Sequence, residues 1–282
     1  MCEALCAINS RSASRITMLL KLLFVLISEF YVVVLNALKA WTGLKMMIEE
    51  LLNSMKVYEM GPCPYLKDTS EAIRAIRCPG LPNYLHAELM KLGFRHSNDI
   101  FYIPACTGCS ECYPMRIDPI QFKPSKKQRH IFNKNKDIVI RLEHPEATPQ
   151  KYDIYKRYMA YQHPDSDQGV SYEAMKSFSI KLPSSIEIDY YLDGRIIGIT
   201  FADIIPKTGL SSGYHFFDPE FASRSIGVYS MLAEIRLCEI LELPYFYPGF
   251  WIRNCKKMAY KSQYRPNQIF VNGEWVDNDL MD

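Results

Sequence analysis

Residues 185–205 read SIEIDYYLDGRIIGITFADII. Apolar and polar residues alternate in two runs, and Asp193–Gly194 between them suits the backbone of a tight two-residue turn, so the stretch predicts a β-hairpin. On its N-terminal side, TPQKYDIYKRYMAYQHP (148–164) repeats Tyr152, Tyr155, Tyr158 and Met159 at spacings of three and four, which predicts a helix with an aromatic face. On its C-terminal side, LSSGYHFFDP (210–219) predicts a third strand ending in a proline turn. SIGVYSMLAEIRLCEILE (225–242) then predicts a helix and PYFYPGFWI (244–252) a short buried strand. Helix, hairpin, strand, helix, strand implies a mixed α/β (α+β) unit, an order that several folds share.

Further upstream, TSEAIRAI (69–76) predicts a short helix after a Thr69 cap, and LPNYLHAELMKLGF (81–94) a helix stopped near Gly93. FYIPA (101–105) then enters CTGCSECYPMRI (106–117) as a strand. Cys106, Cys109 and Cys112 carry a repeated C-x-x-C spacing, and thiolates three apart on a tight turn can hold one soft metal ion. Cys63, in the proline-flanked GPCPYL (61–66), is the candidate fourth ligand, and Cys78, in RCPGLP (77–82), competes with it. The alternative is that these are reduced, half-buried cysteines packed like small hydrophobes.

The 282 residues, 48% hydrophobic and 23% charged, can bury a full core, which excludes a disordered chain. Length suggests two domains more than one. Nine cysteines are an odd count without the density of a secreted disulfide scaffold, which favours a reducing, cytoplasmic compartment. A net charge of +2 neither demands nor excludes a nucleic-acid partner. Locally, QFKPSKKQRHIFNKNKDIVIR (121–141) gathers Lys123, Lys126, Lys127, Arg129, Lys134 and Lys136 against Asp137, a stripe suited to phosphate contact or to a solvated helix face before the strand DIVIRLE. Ile16–Leu38 is apolar enough to suggest a membrane helix. Lys21, Glu29 and Asn36 interrupt it, and each ionised group costs about 2.5–3.5 kcal/mol at a bilayer centre, so a non-spanning extension is expected. The chain divides into an apolar extension (1–55), an N-terminal cysteine-bearing subdomain (56–143) and a C-terminal domain (144–282).

Read together and in order, GPCPYL, YIPACTGCSECYPMRI (102–117), YKRYMAYQHPD (155–165), SSGYHFFDPEFASRSIGVYSML (211–232) and YPGFWIRNCKKMAYKSQYRP (247–266) resemble the aminoacyl-tRNA-protein transferases. These are the arginyltransferases and their short bacterial relatives, the aspartate/glutamate leucyltransferases. The resemblance runs from about Tyr58 to Val276, with Pro248 standing where the bacterial pattern has leucine. The chain's length favours leucine as the donor residue, whereas YKSQYRP also resembles arginyltransferases.

What the resemblance implies is a cytosolic enzyme moving an aminoacyl group from charged tRNA to the N-terminal Asp or Glu of a protein and so marking it for degradation. The implied fold is an acetyltransferase-like (GNAT-type) module with a small N-terminal cysteine-bearing subdomain. No separate cofactor serves the transfer, because the tRNA ester is already activated, while zinc or an iron-sulfur cluster on Cys63, Cys106, Cys109 and Cys112 is implied. The chemistry needs a base for the attacking amine and donors for the oxyanion. Asp203, Tyr214 and Asp218 would face the acceptor cleft of such a module. Each also has an ordinary reading, Asp218 before Pro219 as a turn former and Tyr214 as core. An acidic N-terminus requires cations, for which Arg77, Arg95, Lys257 and Lys261 are the family-matched residues, and Lys123, Lys126, Lys127 and Arg129 would meet tRNA phosphate. His163 could act as base, although a His before Pro at a helix end reads as a cap. Two rival classes are a zinc-stabilised RNA-binding module without catalysis and a membrane-anchored acetyltransferase. The second lacks a glycine-rich pyrophosphate turn, having only RSIGVY before the helix.

Overall fold

The computed structural model describes residues 42–164, 170–179 and 182–279. Contacts divide the chain between Asn53 and Ser54. In the first unit the described residues belong to helix α1 (42–54). No helix among the described residues is long and apolar enough to cross a membrane, and Ile16–Leu38 lies outside them.

The second unit contains two sheets. Strands β1 (Lys56–Pro62), β2 (Ser70–Arg77), β3 (Arg95–Ser97) and β4 (Ile100–Pro104) form a four-stranded antiparallel sheet in the order β1-β2-β4-β3. Between β2 and β3 lies α2 (Asn83–Lys91), which Gly93, at φ +80°, helps to end. TSEAIRAI is thus strand β2 rather than the expected helix. Its apolar spacing is ambiguous over eight residues, and pairing with strands on both sides overrides a helix too short to persist alone.

The eight-stranded sheet has the order β12-β11-β5-β10-β9-β8-β7-β6. Its members are β5 (Tyr113–Ile117), β6 (Val139–Glu143), β7 (Ser185–Leu192), β8 (Arg195–Ile205), β9 (Gly209–Phe217), β10 (Phe246–Trp251), β11 (Gln268–Val271) and β12 (Glu274–Asp277). The sequence division at 143/144 falls inside this sheet, because β5 and β6 both precede it. The hairpin β7–β8 turns at Asp193–Gly194, both with positive φ, as the sequence predicts. Helices α3 (Lys126–Lys134), α4 (Pro149–Gln162), α5 (Tyr172–Ser177), α6 (Ile226–Ile240) and the short α7 (Lys256–Ala259) complete the unit.

Two clusters hold the layers together. Tyr229, Leu232 and Ile235 of α6 join Ile188, Ile197 and Phe246 of the sheet in one core. Ile154, Tyr155 and Met159 of α4 and Met175 of α5 join Ile199, Phe201 and Phe216 in another. Each fully buried side chain of this size stabilises by roughly 1.5–3 kcal/mol. The crossover β9–α6–β10 makes β9 and β10 parallel neighbours, and their pairing covers only Phe246 with Leu210 and Tyr247 with Ser211. This is the mixed α/β arrangement that the element order implies.

Candidate active site

A cleft of about 160 Å³ opens between the two sheets. Strand β3 delivers Arg95 and His96 to it, β8 delivers Phe201 and Asp203, and β9 delivers Tyr214. The ladder between β8 and β9 shifts register between Phe201 and Ala202, leaving Gly213 as the extra residue. A Cβ at Gly213 would lie 2.7 Å from the Phe201 carbonyl oxygen, so only glycine fits this bulge at the cleft wall.

Asp203 is 2% exposed, and three hydrogen bonds converge on its carboxylate. Ser184 and Ser185 hydroxyls donate to its Oδ1 at 2.8 and 3.1 Å, and His96 Nε2 lies 2.5 Å from its Oδ2. The other ring nitrogen of His96, Nδ1, lies 2.8 Å from the Asn98 carbonyl oxygen. Both nitrogens face acceptors, so the ring donates on both sides as an imidazolium. Burial pulls the His96 pKa down, but the Asp203 charge and both hydrogen bonds outweigh it and raise it. Burial likewise pushes the Asp203 carboxyl up, yet the His96 charge and hydrogen bond, with His86 and Ser184, bring it to about 2. Ser184 gives its hydrogen to Asp203 and accepts from His86 Nδ1 at 3.0 Å, and burial holds His86 neutral with a pKa of about 4.

The cation side of the cleft is Arg95. Its guanidinium donates to Ser211 Oγ at 3.2 Å, the Tyr247 carbonyl at 3.3 Å and the Ser212 carbonyl. Lys261, which is buried, donates to the Phe250 carbonyl at 2.9 Å. Burial first, then the Arg95 charge, lowers its pKa to about 7. A Cβ at Gly249 would lie 3.4 Å from both the Arg95 guanidinium and the Lys261 ammonium, so the two cations converge there. Among the described residues neither has a carboxylate within 4.0 Å. Neither forms a direct ion pair among them, and only the Asp203 and Glu234 carboxylate charges act on Arg95 from farther off, so the spot can take an anion.

The predicted site residues therefore divide. Asp203, Tyr214 and Arg95 line the cleft, and Lys261 adjoins Arg95. Tyr214 presents its ring, stacked 4.2 Å from Phe178, and its hydroxyl bonds Met159 Sδ at 3.6 Å. Asp218 sits at the other end of the β8–β9 ladder, about 20 Å along the strands at 3.3 Å per residue, where its backbone N–H donates to Ile197. Its carboxylate binds Arg157 and Arg195 at 2.8 and 2.6 Å and caps the turn at Glu220. Arg77 pairs with Asp99 at 2.8 Å on the four-stranded sheet, and Lys257 is exposed near His163, the C-cap of α4. Sequence reasoning missed His96, His86 and Ser184. The available signal was slight: a polar pair, Arg95–His96, in a short strand just before the Asn98 turn.

On another face, α3 begins with a capping box between Ser125 and Gln128 and keeps Lys126, Lys127 and Arg129 exposed, with Lys123 beside them. Among the described residues none of these four has a carboxylate within 4.0 Å. Lys134 is instead tied to the Ser223 carbonyl at 2.9 Å.

The cysteine turn was tested against a metal by its donors. Gly108, at φ +75°, closes the Cys106–Cys109 knuckle, where Cys109 N–H donates to the Cys106 carbonyl at 3.4 Å. Leu66 N–H donates to Cys63 Sγ at 3.5 Å and Ala72 N–H to Cys106 Sγ at 3.3 Å. Burial raises the Cys112 thiol to about 12, and the charges of Cys106, Cys63 and Cys109 add to it. Cys78 is elsewhere, with its N–H on the Asp99 carbonyl. Soft thiol donors of this kind suit zinc or an iron-sulfur cluster. Among the described residues, however, only His86, His96 and Asp203 bring three ligand atoms within 4.8 Å of one another. There the direct His96–Asp203 contact and the serine hydroxyls already take three of the carboxylate's acceptor positions.

Two family models match the chain: the N terminus of arginine-tRNA-protein transferase over residues 61–130 and its C terminus over 150–271. An aspartate/glutamate leucyltransferase of Pseudomonas fluorescens is 37% identical over 231 residues, 80% of this chain and 97% of the relative. One from Pseudomonas aeruginosa is 37% identical over 219 residues, 76% of this chain and 92% of the relative. Among solved structures, L-PGS from Bacillus licheniformis aligns at a TM-score of 0.43 and 11% identity, covering 59% of this chain and 58% of its own. With both halves matched in order and the relatives spanned almost end to end, the chain belongs to the aminoacyl-tRNA-protein transferases, a family of enzymes that join tRNA and protein substrates.

Proposed function

We propose that this transferase moves leucine from leucyl-tRNA to the α-amine of proteins beginning with Asp or Glu. The observation that carries the acceptor half is the pairing, in one cleft, of an ionised carboxylate, Asp203, with a guanidinium, Arg95. An acidic N-terminus presents the complementary pair: an α-ammonium and a side-chain carboxylate. Arg95 and the adjoining Lys261 favour the carboxylate, and Asp203 favours the ammonium. With a carboxyl at about 2, Asp203 acts as an anchor for the amine more than as a strong base. Phe178, Phe201 and Tyr214 give the same cleft an apolar wall, which suits a leucyl better than an arginyl side chain. The relatives' names point the same way.

In the reaction the α-ammonium first gives one proton to bulk water, and the resulting amine attacks the aminoacyl carbonyl. The C–N bond forms, the ester C–O bond to the tRNA ribose breaks, and the proton released by nitrogen ends on the ribose oxygen. Lys123, Lys126, Lys127 and Arg129 would hold tRNA phosphate. A metal on the four cysteines, when bound, would brace the turn between β4 and β5. The reading as a cytoplasmic enzyme acting in protein degradation follows from the same substrates.

The test is acceptor selectivity. Purified protein with labelled leucyl-tRNA should leucylate peptides beginning with Asp or Glu and ignore the neutral isosteres Asn and Gln and N-acetylated Asp. Equal labelling of Asp- and Asn-initiated peptides would refute the role given to Arg95 and Lys261.

A further inference from the structure

We propose that His96 is a positioning residue of the transfer: by bonding Asp203 on one edge, it aims the last free lone pair of that carboxylate at the acceptor's α-ammonium. The inference rests on the reading of the cleft as the acceptor site.

A carboxylate has about four acceptor positions, two on each oxygen. Ser184 and Ser185 fill both positions on Oδ1 of Asp203, and His96 Nε2 fills one on Oδ2. One position is left, on the oxygen that His96 holds. Asp203 lines the cleft, so this position is the one available to a substrate amine. The imidazole itself has none to offer, because Nδ1 is committed to the Asn98 carbonyl and Nε2 to Asp203. His96 therefore acts through Asp203 and does not exchange protons with the substrate.

The bond also joins separate parts of the fold. His96 lies on β3 of the four-stranded sheet, which follows α2, and Asp203 on β8 of the eight-stranded one. The groups facing His96 are Asp203 from β8, His86 from α2, whose ring centroid is 5.1 Å away, and Arg95 from its own strand. Tyr102 of β4 lines the same cleft. Strand β3 thus carries one cleft group, Arg95, and supplies through His96 the contact that holds Oδ2 of another, Asp203. A loss of the His96 contact should affect how the acceptor binds while leaving tRNA binding on α3 untouched.

The experiment compares the full chain with His96→Ala and His96→Gln, using leucyl-tRNA and an Asp-initiated peptide. His96→Ala should raise the peptide KM by about tenfold or more, the value of one charge-assisted hydrogen bond, with the leucyl-tRNA KM unchanged. Added imidazole should restore much of the loss. His96→Gln, whose amide can donate to Asp203 without a charge, should recover part of the peptide KM. Its acid limb of kcat/KM should still move to higher pH, because Asp203 has lost its cation. If wild-type protein labels no acidic peptide, the acceptor reading itself falls. If wild-type protein is active while His96→Gln keeps the wild-type peptide KM and acid limb, or His96→Ala shows only a lower Tm with an unchanged peptide KM, this inference alone is overturned.

Discussion

Replacing Asp203 by Asn changes one oxygen to nitrogen with little change in volume, so the packing of the site is nearly preserved while its charge is removed. Three donors, from Ser184, Ser185 and His96, aim at the position, and the new amide NH₂ must oppose at least one of them. The folded carboxyl titrates at about 2, against roughly 3.9 in an unfolded chain, and each unit of difference is worth about 1.4 kcal/mol. The ionised group therefore contributes roughly 2–3 kcal/mol, which for a unit of this size corresponds to a Tm loss of about 4–12 °C. Because the Asp203 pKa is depressed, its contribution is full above about pH 4 and disappears as pH falls through about 2. Because the His96 pKa is raised, its contribution is full below about 6.5 and disappears as pH rises through the higher folded value. The difference between wild type and Asp203→Asn should thus be largest between about pH 4 and 6.5. Thermal melts followed by circular dichroism from pH 2 to 8 measure it. A Tm difference as large at pH 2 as at pH 5.5 would show that packing, not charge, sets the cost and would refute the reasoning.

Three further predictions concern other parts of the molecule. Reversing Lys126, Lys127 and Arg129 to Glu should weaken tRNA binding and reduce the slope of log affinity against log salt by roughly 2–3, at about 0.7–0.9 per phosphate contact; an unchanged slope in filter-binding titrations would leave α3 a solvated face. Cys106→Ser should release bound zinc or iron, read by elemental analysis of anaerobically purified protein, whereas Cys238→Ser, on the buried face of α6, should retain it; equal metal content in both variants would remove the metal from these thiols. Asp218→Asn should cost about 1–3 kcal/mol in denaturant titrations, since it frees two guanidinium groups and a turn, and should leave kcat/KM for the acceptor unchanged; a large fall in kcat at unchanged stability would restore a catalytic role.

The fold was most legible where local signals agreed. The Asp193–Gly194 turn, the aromatic stripe of α4 and the apolar run of α6 each fixed an element whose bounds in the structure differ by one or two residues from the expectation. TSEAIRAI was misread because a period near three over eight residues does not separate a short helix from a strand paired on both sides. That β5 belongs to the larger sheet could not be seen from composition, since it pairs with β10 and β11, 129 to 154 residues away in sequence. The site was half legible for the same reason. Tyr214 and Lys261 stood in strings that resemble the family and Arg95 and Asp203 within the span of the resemblance, whereas His86, Ser184 and His96 gain meaning only from reaching a carboxylate 19 to 117 positions away. Asp218 carried the same residue type and a similar neighbourhood in sequence as Asp203. Only the strand register separates a carboxylate in the cleft from one closing a turn.

The measurement that tests the central claim most directly supplies one Asp-initiated peptide with three labelled donors in parallel: leucyl-tRNA, arginyl-tRNA and acetyl-coenzyme A. The apolar wall of Phe178, Phe201 and Tyr214 beside Asp203 predicts label from leucyl-tRNA, little from arginyl-tRNA and none from acetyl-coenzyme A. Label from arginyl-tRNA in preference to leucyl-tRNA would contradict the donor assignment, and label from acetyl-coenzyme A alone would contradict the account as a whole.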